Sequence, residues 1–337
     1  MVYAVAPRTY PDLIARNHPT ERITAYIVLP NSSGSPLEMH FVEHLVMLGN
    51  LGDRTGNMER HANAWTSRVA VGYRLSGPST DLPDLLKTLS RVLDPIHVPR
   101  TAAEEERGII LREYEQHAEA DPSMQAAMDM DTFLYHSNAI ARSPIGRPDG
   151  IVRLDYDRAL ALQAATHRSD RSRLVIVGDV THRQVRSALQ DMGWPLQHQV
   201  FAPLPFVLAA ADTTTLHYPD LDMTPQLVWR RVVSLPEPVQ FDLLTAQTAI
   251  LNDILASGLS GGLAGPLRLD NFIAESFSVS ATVIDERHVE LRFSARPDRG
   301  VRLSALHAAF ESALTHSALA ALQAFQEMVG RGSDRPY

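Results

Sequence analysis

The stretch Met39-His40-Phe41-Val42-Glu43-His44-Leu45 contains the pattern H-x-x-E-H. On a helix, His40 and His44 lie one turn apart and Glu43 lies beside them, so the three side chains project from one face. Two imidazoles at this spacing can bind one zinc ion, and a neighbouring carboxylate can accept a proton from a zinc-bound water. The stretch therefore predicts a helix over about residues 37–48 that carries a candidate zinc site.

A catalytic zinc site needs a third protein ligand and one open position. Glu106 and Glu113 lie in the predicted helix that begins at Thr101, seven residues and therefore two turns apart. Three further glutamates crowd the same segment, which is also typical of an acidic helix face exposed to solvent. Spacing alone leaves both interpretations open, and H-x-x-E-H arises by chance in roughly a few per cent of chains of this composition.

Hydrophobic periodicity around the motif predicts a first half of the α+β class, with strands that pair mostly antiparallel. Apolar, β-branched runs predict the strands, and amphipathic runs predict the helices between them. The predicted strands are Ile23–Leu29, Arg68–Leu75 and Arg173–Val177, and the further helices are Asp81–Leu93, Thr101–Ala120, Ser123–Leu134, Asp155–Thr166 and Thr181–Asp191.

The second half repeats this order loosely, which suggests a duplication. A strand over Gln226–Val233 precedes a helix over Val239–Ala256, a glycine-rich loop and a hairpin around Asp285–Arg287. Two helices, Leu303–Leu314 and Ala318–Met328, follow. The proline-containing segment 197–211 is the predicted linker. We therefore expect a zinc-binding catalytic domain over residues 1–196 and a smaller α+β domain over residues 212–337.

Composition excludes several classes of protein. The chain has 337 residues, 45% apolar and 21% charged, which is typical of globular domains and not of disordered chains. Its net charge of −8 argues against a nucleic-acid partner, and the absence of cysteine excludes disulfides and thiolate chemistry. No signal peptide or membrane span is recognisable, so we expect no membrane partner and a cytoplasmic protein of bacterial origin.

Four blocks, in the same order, resemble the pitrilysin/insulysin and mitochondrial processing peptidase family of inverzincin zinc metallopeptidases. The motif followed by Leu-Val-Met-Leu-Gly-Asn is similar to the family's H-F-L-E-H-M-L-F-K-G-T. The other blocks are Asn63-Ala64-Trp65-Thr66-Ser67, Glu106–Glu113 and Ser172–Asp179, which resemble N-A-Y/F-T-S, E-x6-E and N-x-x-L-V-V-V-G-D. Agreement over about residues 20–190 is far more specific than any one block.

The resemblance implies a role for each matching residue. His40, His44 and Glu113 would bind one Zn²⁺ per chain, and Glu43 would be the general base. Glu106 would orient one of the ligands. Asn63 would hold the substrate or polarise the scissile carbonyl.

The resemblance also implies a clamshell in which two halves, each of two α+β domains, enclose a chamber for peptide substrates. This chain corresponds to one half, so we expect a dimer with a second family subunit. Segment 265–280 resembles the family's substrate-binding segment loosely, with Arg268 in place but Phe277 where a tyrosine is expected. A partner that supplies this tyrosine would favour a heterodimer over a homodimer.

Two other functions compete with a zinc endopeptidase. A non-catalytic scaffold subunit of the same family would typically lose parts of the zinc motif, whereas every position is retained here. A metal-binding or interaction protein without peptidase activity could keep the same fold, since a fold does not specify a function.

Overall fold

The structure is a computed structural model that describes residues 13–15, 21–31, 35–51, 61–119, 121–135, 138–194, 225–259 and 261–316. The chain divides into two compact units, Met1–Tyr218 and Pro219–Tyr337. The predicted linker over 197–211 and the predicted domain boundaries beside it lie outside the described residues, so those bounds stay predictions.

The first unit contains a five-stranded sheet. Its strands are β1 (Leu13–Ala15), β2 (Arg22–Pro30), β3 (His61–Thr66), β4 (Ala70–Pro78) and β5 (Arg173–Gly178). The strand order is β1-β5-β2-β4-β3. All neighbours pair antiparallel except β1 and β5, which are parallel. In this described sheet β3 is an edge strand, and it is the strand that carries the Asn63 block.

One face of this sheet is buried. Along β2, Ile23, Ala25, Ile27 and Leu29 are at most 1% exposed, and the side chains between them are partly exposed. This period of two places alternate residues on opposite faces of a strand. At the end of β5, Gly178 has φ of 137°, and a Cβ there would lie 2.3 Å from the Arg22 carbonyl oxygen, so the chain needs glycine at this close approach.

Helices connect these strands, and local signals explain where several of them begin. Pro36 occupies the first turn of α1, where its missing N–H costs no hydrogen bond. Asp155 caps α6, and Thr181 begins α7 with a capping box. The helices are α1 (Pro36–Val46), α2 (Leu82–Leu89), α3 (Arg100–Tyr114), α4 (Pro122–Tyr135), α5 (Pro148–Val152), α6 (Tyr156–Thr166) and α7 (His182–Asp191).

The second unit repeats part of this order. Its elements are β6 (Leu227–Ser234), α8 (Phe241–Ala256), β7 (Ala274–Asp285), β8 (His288–Pro297) and a helix, α9, over residues 303–316. The sheet order β6-β8-β7 matches β2-β4-β3 of the first unit, with all pairs antiparallel. Phe293 of β8 stacks on Phe310 of α9 with ring centroids 3.8 Å apart, and this pair lies in the core of the unit.

The predicted class, two similar α+β domains with mostly antiparallel sheets, is confirmed. The sequence analysis missed β1, β3 and the parallel pairing of β1 with β5. β1 has only three residues, too few for a period, and β3 (HANAWT) contains small and polar residues that seldom favour strands. The predicted helix over 318–328 lies outside the described residues. Within the described part of the chain, no helix is long and apolar enough to cross a membrane.

Candidate metal centre

Helix α1 holds the H-x-x-E-H motif against the core. Met39, Val42 and Leu45 are fully buried, and Glu43 is only 8% exposed. Because these apolar residues lie between the polar ones in sequence, their packing fixes the rotation of α1 about its axis. His40 and His44 therefore have little freedom to turn away from their positions, and the predicted helix is confirmed with bounds at Pro36 and Val46.

Helix α3 packs against α1 and brings in the two predicted glutamates. Ile110 is fully buried and Tyr114 is 7% exposed, so the apolar face of α3 points into the core of the first unit. Glu106 and Glu113 flank this face. The side chain of Glu106 is 15% exposed and that of Glu113 is 33% exposed, so neither belongs to a fully solvated acidic surface.

The side chains of His40, His44 and Glu113 converge on one point. Their Nε2, Nε2 and carboxylate oxygen atoms lie within 4.8 Å of one another. The two Nε2 atoms are 3.2 Å apart, and Glu113 Oε2 lies 3.6 Å from that of His40 and 3.7 Å from that of His44. Ligand atoms of a tetrahedral zinc ion lie about 3.4 Å apart, so the three residues fit a zinc site with one open position.

Glu106 fixes the tautomer of His44. Its Oε2 accepts a hydrogen bond of 2.8 Å from His44 Nδ1, so the lone pair of the neutral imidazole resides on Nε2. That nitrogen is the one that faces His40 and Glu113. A carboxylate behind a histidine in this way is the common arrangement at protein metal sites, where it sets the orientation and basicity of the ring.

Burial keeps His40 neutral. Burial and, to a smaller extent, the proximity of His44 lower the pKa of His40, the Pro144 carbonyl opposes both effects, and the resulting pKa is about 4. His40 Nδ1 is buried and completes no hydrogen bond of normal geometry. Imidazole nitrogens and a carboxylate that face one another offer lone pairs to one point, and a divalent cation is the partner that suits all three.

Glu43 lies beside this cluster but is not part of it. Its Oε2 accepts a hydrogen bond of 2.5 Å from the hydroxyl of Thr66. Burial raises the pKa of Glu43, whereas the Thr66 hydroxyl and then the nearby His44 lower it, and the Glu113 carboxylate raises it. A buried carboxyl whose pKa is raised takes up a proton more readily than an exposed one, which suits a general base.

Two other predicted site residues, Asn63 and Arg268, do not belong to the cluster of His40, His44 and Glu113. Asn63 is exposed on β3, and its Oδ1 accepts a hydrogen bond of 2.8 Å from the Ala64 N–H. Asn63 and Thr66 point to opposite faces of β3 because their numbers differ by three. In the second unit, Arg268 is exposed on the helical turn Gly265–Leu269, and Phe277 stacks on Phe293 with centroids 6.1 Å apart.

Sequence reasoning missed Thr66, although the residue stands in the Asn63 block. No spacing rule relates Thr66 to Glu43, because they are 23 residues apart and meet only when β3 packs on α1. The available signal was the alternation along β3, which places Thr66 on the face that is directed toward the helices.

A buried polar group lies close to Glu43. The Tyr73 side chain is fully buried, and both burial and the Glu43 charge raise its pKa well above the usual value. Its hydroxyl lies 2.9 Å from His167 Nε2. Thr166 Oγ1 donates its hydrogen to the Leu162 carbonyl at 2.7 Å, so it accepts the hydrogen bond from His167 Nδ1 at 3.0 Å. His167 Nε2 therefore carries the lone pair and accepts from the Tyr73 hydroxyl.

No model of a known protein family matches the chain. Individual relatives do match. The chain is 26% identical over 183 residues to a probable mitochondrial-processing peptidase subunit beta of Schizosaccharomyces pombe, which is 50% of this chain and 39% of that protein. It is 28% identical over 151 residues to the mitochondrial-processing peptidase subunit beta of Neurospora crassa. This match covers 41% of this chain and 30% of that protein. The chain thus spans about a third of the length of the curated relatives it matches.

These relatives are proteins of the kind that the four sequence blocks resemble. The chain is related in sequence to the beta subunits of mitochondrial processing peptidase.

Solved structures show the same fold. A protease from Helicobacter pylori superimposes with a TM-score of 0.71 at 15% identity and covers 93% of this chain and 78% of its own. Pitrilysin superimposes with a TM-score of 0.65 at 15% identity, and the match covers 94% of this chain and 35% of pitrilysin. A peptidase M16 inactive domain from Pseudomonas fluorescens superimposes with a TM-score of 0.70 at 13% identity, and the match covers 94% of this chain and 80% of that domain. Because active and inactive proteins share this fold, catalysis by this chain must be argued from its own residues.

Proposed function

We propose that the chain is a zinc metalloendopeptidase that hydrolyses short or unfolded peptides inside a closed chamber formed with a second subunit. The observation that carries this proposal is the convergence of His40, His44 and Glu113, with Glu106 behind His44. The similarity to mitochondrial processing peptidase beta subunits supports it, because the sequence motifs resemble those of a family of zinc metallopeptidases.

Each residue of the site has a proposed task. His40, His44 and Glu113 would hold one Zn²⁺. The ion would supply Lewis acidity toward the peptide carbonyl and lower the pKa of a bound water toward about 7. Glu106 holds the His44 ring in the orientation that presents Nε2. The buried carboxylate of Glu43 would take a proton from the attacking water and later deliver one to the leaving amine.

Asn63 and Arg268 are proposed substrate contacts. Asn63 is exposed on β3, an edge strand of the described sheet, where a peptide can approach. Arg268 is exposed in the second unit and is free to meet a peptide carboxylate or carbonyl. Phe277 packs into the core of its unit and has no hydroxyl, so a substrate-binding tyrosine would come from elsewhere.

This requirement supports a partner subunit, and a heterodimer over a homodimer. The mitochondrial relatives are themselves described as beta subunits. We propose that the partner completes the chamber and supplies the missing substrate contact. A cytoplasmic location and a bacterial source stay predictions.

A scaffold subunit without activity is the alternative, and the similarity to the inactive Pseudomonas fluorescens domain favours it. The complete ligand set and the buried Glu43 argue against it, because a scaffold has no use for a buried carboxylate beside three metal ligands. Family members without activity typically lose parts of the motif.

The deciding experiment is cleavage of an unstructured peptide mixture by the zinc-loaded chain, alone and with candidate partners, beside the Glu43→Gln variant. Glu43→Gln removes the base but keeps the shape of the side chain. We expect zinc to bind both proteins and cleavage to be lost in the variant. Full activity of a folded Glu43→Gln protein would reject the proposed mechanism. A wild-type chain that binds zinc but cleaves nothing with any partner would favour the scaffold.

A further inference from the structure

The hydroxyl of Thr66 is the hydrogen-bond donor that contacts the Glu43 carboxylate. Thr66 Oγ1 lies 2.5 Å from Glu43 Oε2, and among the described residues no other donor contacts this carboxylate. A hydroxyl that donates to a carboxylate forms a short, charge-assisted hydrogen bond, which is stronger than a neutral one. The Thr66 hydroxyl holds Oε2, and no described donor contacts Oε1, which is therefore the less engaged of the two oxygens.

Two neighbouring hydroxyls cannot take over this task. Ser67 Oγ donates to the Ala70 carbonyl at 3.1 Å and accepts the Ala70 N–H at 3.0 Å, so it is used within the turn between β3 and β4. The Tyr73 hydroxyl donates to His167. Orientation of the Glu43 carboxylate therefore depends on Thr66 alone among these groups.

The position of Thr66 is itself fixed by the surrounding backbone. Thr66 pairs with Val71 at the end of the β3–β4 ladder, and the next residues form a tight turn. The Val69 carbonyl of this turn accepts a hydrogen bond of 2.7 Å from the Asn31 N–H at the end of β2. Arg68 in the same turn forms an ion pair with Asp131 of α4, which is 2% exposed. The turn is thus attached to two other elements.

We infer that Thr66 is a positioning residue that orients the Glu43 carboxylate for proton transfer, an inference that rests on the proposed peptidase function. Thr66 holds one carboxylate oxygen through its hydroxyl, and in the described part of the chain its side chain forms no hydrogen bond with His40, His44 or Glu113. A base that is free to rotate would spend part of its time with neither oxygen directed at the water, so proton transfer would slow while substrate and zinc binding remain unchanged.

The test compares Thr66→Val with Thr66→Ser. Valine keeps the branched shape that suits a strand but removes the hydroxyl, whereas serine keeps the hydroxyl. We expect kcat of Thr66→Val to fall about ten- to a hundredfold, a part of the 10²–10⁴ that a general base contributes, with KM and zinc content unchanged. Thr66→Ser should restore most of the activity.

Thr24→Val is the matched control. Thr24 lies on β2 of the same sheet, and its hydroxyl pairs with Ser76 at 2.9 Å, on the face opposite to the buried residues Ile23 and Ala25. This variant removes an equivalent hydroxyl from the sheet and should leave kcat unchanged. A Thr66→Val protein that loses zinc or melts much earlier than Thr24→Val would show a structural role and overturn the inference.

Two further measurements separate this inference from the proposed function. In the Glu43→Gln protein, added Thr66→Val should cause no further loss of residual activity, since both changes act on one step. Crystal structures of wild type and Thr66→Val should show a rotated Glu43 carboxylate in the variant, whether or not any peptide is cleaved. An unchanged carboxylate, or wild-type kcat in Thr66→Val, would overturn the inference. An inactive wild type with a rotated carboxylate in the variant would reject only the proposed function.

Discussion

Helix α1 follows β2 and helix α8 follows β6, which are corresponding strands of the two sheets, yet the two helices have different surroundings. In α1 the apolar residues Met39, Val42 and Leu45 are fully buried. In α8, Leu243 and Ile250 remain 51% and 47% exposed. Helix α1 packs against α3 and α6 as well as against strands of its sheet, whereas the packing of α8 is mainly against β7.

This comparison shows what the metal site requires beyond the repeated topology. The strand–helix–strand–strand–helix order is present twice, but the third ligand and the carboxylate behind His44 both come from α3. A histidine and a glutamate one turn apart also occur in the second unit, where His307 Nε2 lies 3.4 Å from Glu311 on α9. Within the described residues no third donor joins that pair. The site forms where α1 and α3 converge, because the spacing of residues along one helix does not supply the third ligand.

The largest expected effect is the loss of metal in His44→Ala. Structural zinc sites with four ligands bind with about 10–16 kcal/mol, so removal of one ligand should weaken zinc binding by roughly a thousandfold. The matched control is His307→Ala, which should leave zinc binding unchanged. Both are measured by competition with a zinc chelator. If His307→Ala lost the metal as well, the assignment of the site to the first unit would be wrong.

The next effect concerns the two helices themselves. Leu45→Ala should lower the free energy of unfolding by about 2–5 kcal/mol, because it leaves a cavity in a closed core. Leu243→Ala should cost less than about 0.5 kcal/mol, because that side chain is half exposed. Chemical denaturation followed by circular dichroism measures both. An equal loss in the two variants would show that α8 is buried by another subunit in solution.

A smaller effect is expected from the residue that orients His44. Glu106→Gln keeps the size of the side chain but removes the charge that accepts from His44 Nδ1. Zinc affinity should fall about 10–100-fold. Glu105→Gln, on the exposed side of the same helix, is the control and should bind zinc as wild type does. Equal affinities for both variants would remove Glu106 from the site.

The most gradual effect, spread over several pH units, is the dependence of stability on pH in zinc-free protein. Burial lowers the pKa of His167 from 6.5 to about 3 and that of His40 from 6.5 to about 4, and both residues belong to the first unit. Between each lowered pKa and 6.5, the unfolded chain binds more protons at that histidine than the folded chain does. The free energy of unfolding should therefore fall as pH drops below about 6.5, by up to about 1.4 kcal/mol per pH unit for each histidine.

Denaturation at several pH values in the presence of a chelator measures this slope. The His167→Gln variant should lose the part of this pH dependence that His167 contributes down to about pH 3. It should keep the part that His40 contributes. A stability that stays level between pH 7 and pH 5 would contradict the burial of both histidines.

Much of the fold followed from local patterns. Alternating burial made β2 predictable, and the Asp155 and Thr181 caps marked two helix starts within a residue. β3 was not predictable in the same way, because its small and polar residues become a strand only through pairing with β4. The parallel pairing of β1 with β5 was not predictable either, because it joins segments far apart in the chain.

The amino-acid sequence by itself determined the class of the fold, the helix that carries His40, Glu43 and His44, and the spacing of Glu106 and Glu113. These depend on periods of two and 3.6 residues, which are properties of the local chain. Only the tertiary structure decided that α3 delivers both glutamates to α1, that Thr66 contacts Glu43, and that α8 keeps an exposed apolar face. Such contacts join residues far apart in the chain, and their geometry is set by how the core packs rather than by any local period.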